Sequence, residues 1–123
     1  MVQTSDVVNA EMNATWKKFL QTKVNSFIKW DLVRFFHDNP HTADTAENIA
    51  QFVGRDAKTI QRELDGLVKV DVLLTASVSG QRIYRLSDAD DIRKVIRDFV
   101  AACHSREFRV KAIDHVMHGM NVS

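Results

Sequence analysis

Lys58, Thr59, Gln61 and Arg62 lie close together in the sequence, and their side chains are of the kind that read a DNA duplex. A guanidinium pairs two-pronged with guanine and a carboxamide with adenine, which fits Arg62 and Gln61. Thr59, Lys58 and Arg55 suit phosphate oxygens or a thymine methyl group. Arg82, further along, suits a minor-groove or phosphate contact. Taken singly, each of these residues also fits the mixed-charge, solvated face of any surface helix. What distinguishes them is the order of elements in which they stand.

That order begins with Thr45–Val53, where Ala46, Ile49, Ala50 and Val53 form one face of a short helix. Gly54 stops it, because glycine tolerates the left-handed backbone of a sharp turn. Asp56 then caps a second helix with Ile60, Leu64, Leu67 and Val68 turned inward. Lys58, Thr59, Arg62, Asp65 and Lys69 fall opposite, with Gln61 toward one edge. Two apolar-rich runs, Leu73–Val78 and Gln81–Leu86, flank the turn pair Ser79-Gly80 and predict a β-hairpin. Helix, tight turn, helix and hairpin is the layout that lays one helix in a major groove and a wing beside it.

Helical spacing extends on both sides. Val8, Met12, Trp16, Phe19 and Leu20 predict a helix over 5–22, and Phe27, Ile28, Leu32, Phe35 and Phe36 another over 25–37. Asn39-Pro40 ends the latter, since proline disfavours helix in the residue before it. Residues 41–44 read as loop. Asp44 or Thr45 caps the next helix, with Glu47 placed to reach back as in a capping box. After the hairpin, Ser87-Asp88-Ala89-Asp90 starts a helix with acidic groups at its positive end. Ile92, Val95, Ile96, Phe99, Val100 and Cys103 give it a broad apolar face, and the pattern continues through Phe108, Val110, Ile113, Val116 and Met117. Either one helix runs to 118 or Ser105 divides it into two, and Gly119 ends it. The expected fold is mainly α with a β-hairpin wing: a winged helix-turn-helix with extra N- and C-terminal helices. The chain reads as one domain, with a dimerisation helix over 5–24, the winged core over 25–86 and a helical dimerisation segment over 88–118.

Composition narrows the function. At 123 residues and 45% hydrophobic content the chain is long enough for one packed core. No stretch reaches the ~20 apolar residues of a membrane span, and the N-terminus lacks the pattern of a signal peptide. A single cysteine excludes an intrachain disulfide and a cysteine-rich zinc module. These features fit a cytoplasmic protein. There is no glycine-rich phosphate loop, nucleophile motif or carboxylate pair in a cleft-like context, so no enzyme activity is expected. The formal charge is only +1. Affinity for DNA must therefore come from local arrangement, and from Arg55 to Arg85 six basic residues stand against four acidic ones.

The segments Thr45-Ala46-Glu47-Asn48-Ile49-Ala50 and Lys58-Thr59-Ile60-Gln61-Arg62-Glu63-Leu64-Asp65-Gly66-Leu67-Val68 resemble winged-helix transcriptional regulators of the ArsR type. Val72-Leu73-Leu74 and Gly80-Gln81-Arg82-Ile83-Tyr84-Arg85-Leu86 complete the pattern, which covers about Phe27 to Leu86. The resemblance implies that the second segment is the recognition helix and that Gly80 and Tyr84 belong to the wing. It also implies a homodimer paired through the first and last helices. The residues agree, because Trp16, Phe19, Leu20, Phe108, Ile113 and Met117 lie outside a minimal winged unit, and leftover apolar surface marks an interface. The alternative is that the two terminal helices cover each other within one chain.

Metal-sensing members of that family use a Cys-x-Cys pair, or carboxylate and His ligands on the final helix. The first is absent. His104, His115 and His118 repeat the spacing of some zinc-sensing relatives, but Ala102 stands where an acidic partner belongs, and the match falls further past the wing than the family site. No metal site and no cofactor are expected, and Cys103 reads as a buried small hydrophobe. The sequence thus predicts a homodimeric transcriptional regulator of double-stranded DNA, with no membrane partner and an effector it does not identify. A winged-helix module that binds a protein instead of DNA is the other reading.

Overall fold

The computed structural model describes residues 13–121, which form six helices and a small three-stranded antiparallel sheet. The order is α1 (Ala14–Thr22), α2 (Phe27–Asp38), β1 (Ala43–Asp44), α3 (Ala46–Val53), α4 (Ala57–Lys69), β2 (Leu73–Val78), β3 (Gln81–Leu86), α5 (Asp90–Ala102) and α6 (Arg106–Asn121). Each helix start has a local cause. Asn13, Ser26, Thr45 and Asp56 stand in extended conformation, and each side chain accepts a hydrogen bond from a backbone N–H of the first turn. At α5 the cap residue is Ala89, which offers no side-chain acceptor, and Asp90 and Asp91 place negative charge at the helix's positive end. The part of the first expected helix that includes Val8 and Met12 lies outside the described residues.

Two tight reversals shape the middle of the chain. Gly54 takes φ 71°, and the Gly54 and Arg55 amides donate to the carbonyls of Gln51 and Ala50. This is a Schellman ending, and it turns the chain at once into α4. The hairpin loop is Ser79-Gly80 with φ 54° and 80°, the positive pair that a type I′ turn requires. It sets the register Val78 to Gln81 and Leu73 to Leu86. α4 ends on a second Schellman turn, with Asp71 left-handed at φ 67° and the Val72 amide donating to the Leu67 carbonyl.

Several local expectations need correction. Residues 43 and 44 are a strand, not loop: β1 pairs with β3 through Ala43 to Arg85 and Asp44 to Tyr84, so β3 is the centre of the sheet. Thr45 is the cap of α3, which moves Glu47 one place too early for a capping box. Asp44 and Asn48 take over that role, with the Asp44 carboxylate accepting from the Thr45 amide and the Asn48 side chain at 2.8 Å each. Of the two alternatives left open for the C-terminal segment, the division at Ser105 is the one found, and only the stop at Gly119 needs correction. Ser105 Oγ accepts from the Phe108 amide and opens α6, which continues through Gly119 to Asn121.

One core serves all of these elements. Leu32, Val33 and Phe36 of α2, Ile49 of α3, Ile60, Leu64 and Leu67 of α4, Leu73 and Tyr84 of the sheet and Ile96 of α5 are fully buried. Around Phe99 of α5 gather Trp16, Phe19, Trp30 and Phe108, with ring centroids 5.0–6.1 Å from it at tilted and edge-on angles. This cluster corrects the expectation that Trp16, Phe19, Leu20 and Phe108 are left over once the winged core is filled. Phe19 and Leu20 are 4% and 1% exposed within one chain, and Trp16 and Phe108 are half-buried against the core. α1 and α6 pack on each other, and α6 buries Ala112 and Val116 along with Phe108. Among the described residues no helix is long and apolar enough to cross a membrane.

Phe99→Ala removes the ring that four aromatic neighbours share. It should lower stability by about 3–5 kcal/mol. Urea unfolding followed by tryptophan fluorescence should show an earlier midpoint with an unchanged slope.

Candidate nucleic-acid interface

The candidate surface follows from the helical repeat of α4. With Ile60, Leu64 and Leu67 buried, the row Lys58, Gln61, Arg62, Asp65 and Lys69 must point away from the core. Lys58, Gln61 and Arg62 are exposed. Thr59 is not in that row. It lies half-buried on a flank, and its backbone N–H and hydroxyl both donate to the Asp56 carboxylate, at 3.0 and 3.2 Å. These bonds, the backbone one foremost, hold the Asp56 carboxyl below its ordinary range, with a small contribution from the charge of Arg62. Thr59 therefore builds the first turn of the helix, which leaves its hydroxyl committed.

Beside α4 the hairpin stands so that Gln61, Arg82 and Tyr84 share an open groove of about 400 Å³ with Thr45, Glu47 and Asn48 at the start of α3. The structure thus brings Gln61 and Arg82 together. Arg55 stands apart at the turn, where its guanidinium donates to Asp31 of α2 at 2.7 Å. Arg82 is also paired, with Asp65 at 3.2 Å. Lys58 and Arg62 make no ion pair among the described residues. Of the four candidate cations, then, two are free and two are held by carboxylates.

The contact between Asp65 and Tyr84 is the feature of this surface that sequence reasoning did not anticipate. The Tyr84 ring is buried, its hydroxyl donates to Asp65 Oδ1 at 2.6 Å, and the Arg82 guanidinium carbon sits 5.3 Å from the ring centre. The signal available in the sequence was the two-residue spacing of Arg82 and Tyr84 on a strand, which puts both on one face. Burial, then the hydrogen bond and charge of Asp65, push the Tyr84 hydroxyl up to about 12.

The residues assigned to a two-fold interface divide. Ile113 and Met117 are 41% and 49% exposed, and with exposed Val110 they form a stripe along α6. Trp16, Phe19, Leu20 and Phe108 belong to the core as described above. His104 borders a cleft with Trp30, Arg34 and Arg109, whereas His115 and His118 border another with Leu20 and Asn25. Among the described residues no three His, Cys, Asp or Glu side chains assemble as a metal-ligand group. Cys103 is buried, and that burial pushes its thiol up to about 11. Comparison with known proteins gives no match: no family model matches the chain, and no curated protein or solved structure matches it.

Tyr84 is the single tyrosine of the chain, so phenolate absorbance reports it alone. In the native protein the transition should centre on about pH 12; in denaturant it should fall to about 10. Because the folded value is raised, the stability contributed by the protonated hydroxyl is whole below about pH 10 and is lost as pH rises toward 12. Tyr84→Phe should flatten that part of the stability profile in urea titrations.

Proposed function

We propose that this chain is a winged-helix transcriptional regulator of the ArsR type that binds duplex DNA as a cytoplasmic homodimer, and that it is not an enzyme. The observation that carries the reading is the outward row of α4. Lys58, Gln61 and Arg62 are exposed on a helix delivered by a capped tight turn, and Gln61 lines one groove with Arg82 of the adjoining hairpin. The placement of β1 before α3, paired to the far edge of the hairpin, supports the winged-helix assignment. In this reading α4 enters the major groove, where Arg62 meets guanine and Gln61 adenine. Lys58 lies on phosphate, and Arg55 and Arg82 flank the duplex. Symmetric pairing of two copies would place two α4 helices about one helical turn of DNA, ~34 Å, apart. The exposed stripe of Val110, Ile113 and Met117 is the surface offered for that pairing.

A second reading has its own observation. Asp31 neutralises Arg55 and Asp65 neutralises Arg82, which leaves a surface less basic than most DNA-binding faces. A protein partner would suit such a surface. Selection of random duplexes with the purified protein at two salt concentrations separates the two, because a DNA-binding face enriches a common sequence and loses affinity with salt.

Arg62→Ala should cost about 1–3 kcal/mol in specific binding and relax preference at one base pair. Lys58→Ala should weaken binding to all sequences alike and flatten the salt dependence by about one unit of slope. Equal binding by both variants and the parent would remove α4 as the DNA surface. Sedimentation at low micromolar protein should give a dimer, and Ile113→Asp should shift it to monomer; a parent that sediments as monomer overturns the paired arrangement.

A further inference from the structure

The carboxylate of Asp65 is shared in a way that the proposed contacts do not explain. Its Oδ1 accepts the Tyr84 hydroxyl at 2.6 Å and faces Arg82 Nη2 at 3.2 Å. Both donors come from one face of β3, while Asp65 comes from the outward row of α4. One oxygen atom therefore ties the hairpin to the helix and also neutralises Arg82. The two partners are unlike in accessibility. Tyr84 is buried, whereas the side chains of Arg82 and Asp65 are 51% and 34% exposed. The tyrosine bond is thus an interior tie, and the arginine pair faces solvent, open to competition from another anion.

We propose that Asp65 is a positioning residue and a built-in brake: it holds Arg82 in an ion pair that a DNA phosphate must displace. The inference rests on the duplex-binding reading of this face. While the pair is intact, its net charge is zero and Arg82 adds nothing to the attraction of a polyanion. A phosphate that takes Arg82 leaves the Asp65 carboxylate uncompensated beside the DNA backbone, which opposes binding by like-charge repulsion. Only a duplex that offers enough other contacts to α4 overcomes that opposition. The brake therefore lowers affinity for every duplex, so that only those with added contacts to Gln61 and Arg62 stay tightly bound. Tyr84 keeps Asp65 in place in either state, because its hydroxyl occupies the same oxygen from the buried side.

Asp65→Asn tests this, since the amide oxygen still accepts from Tyr84 while the negative charge is gone. Asp65→Ser is the second charge-free variant, with a shorter acceptor, and serves if the first fails to fold. The probe is a mixed-sequence DNA duplex of about 20 base pairs, long enough for two adjacent half-sites, titrated by fluorescence anisotropy across a range of salt. The charge-free variant should bind several-fold tighter than the parent at low salt. Its plot of log affinity against log salt should steepen by about one, the signature of one further phosphate contact. Adding Arg82→Ala should erase both changes. Tyr84→Phe, which leaves the ion pair, should lower thermal stability without steepening the slope. If a folded charge-free variant matches the parent in affinity and slope while both bind DNA, the brake is overturned and the duplex reading stands. If neither parent nor variant binds the duplex at any salt, the duplex reading falls and takes the brake with it.

Discussion

Burial of one row of α4 is the constraint from which the rest of the surface follows. Ile60, Leu64 and Leu67 are fully enclosed by α2, α3 and the sheet, and a helix that sinks that row has no freedom in what it shows on the other side. Lys58, Gln61 and Arg62 are outward for that reason, and Asp65 at the edge of their row meets the hairpin. The same burial fixes the hairpin. Its first strand begins directly after the left-handed turn at Asp71, and its second strand is anchored by Tyr84, whose ring lies in the core and whose hydroxyl returns to α4.

Signals that act within a few residues were legible in the sequence. Gly54, Asp56 and the Ser79-Gly80 pair each dictate a backbone shape by their own chemistry, and each stands where that chemistry requires. The start of α3 was legible only to within one residue, because Asp44 and Thr45 are both competent caps and their difference lies in which one β1 draws into the sheet. β1 itself has two residues and no alternation. It becomes a strand because β3 has an edge free to receive it, a property of the fold and not of Ala43 or Asp44. In α6 the sequence pattern Phe108, Val110, Ile113, Val116 and Met117 mixes two faces: Val116 and half-buried Phe108 turn inward with Ala112, whereas Val110, Ile113 and Met117 are exposed. A small alanine marks the closest packing and gives a weak hydrophobic signal.

The candidate site divides in the same way. That Lys58, Gln61 and Arg62 share a face was readable from helical period alone. That Asp31 and Asp65 hold Arg55 and Arg82 was not, because these pairs join residues 24 and 17 positions apart through tertiary structure. Exposed ion pairs of this kind contribute little to stability. Their importance lies in setting which cations remain unneutralised, and so where the field of the face is strongest. The terminal aromatic residues teach a related lesson. Five rings converge on a single point between α1, α2, α5 and α6, so side chains that looked surplus to a minimal unit are the interior of this larger one.

The corner between α5 and α6 has a mechanical consequence. The Arg109 guanidinium donates to the carbonyls of Cys103 and His104, at 2.7 and 3.2 Å, so a side chain from the first turn of α6 clamps the end of α5. From its start at this corner α6 runs for 16 residues in all, an arm of about 24 Å at 1.5 Å per residue. Levers amplify small rotations: a swing of about 10° at the corner carries the far end of an arm this long by about 4 Å. The guanidinium therefore fixes the near end of the arm while the buried Ala112 and Val116 hold its middle against the core, and loosening both together would be felt most at the opposite end of the helix.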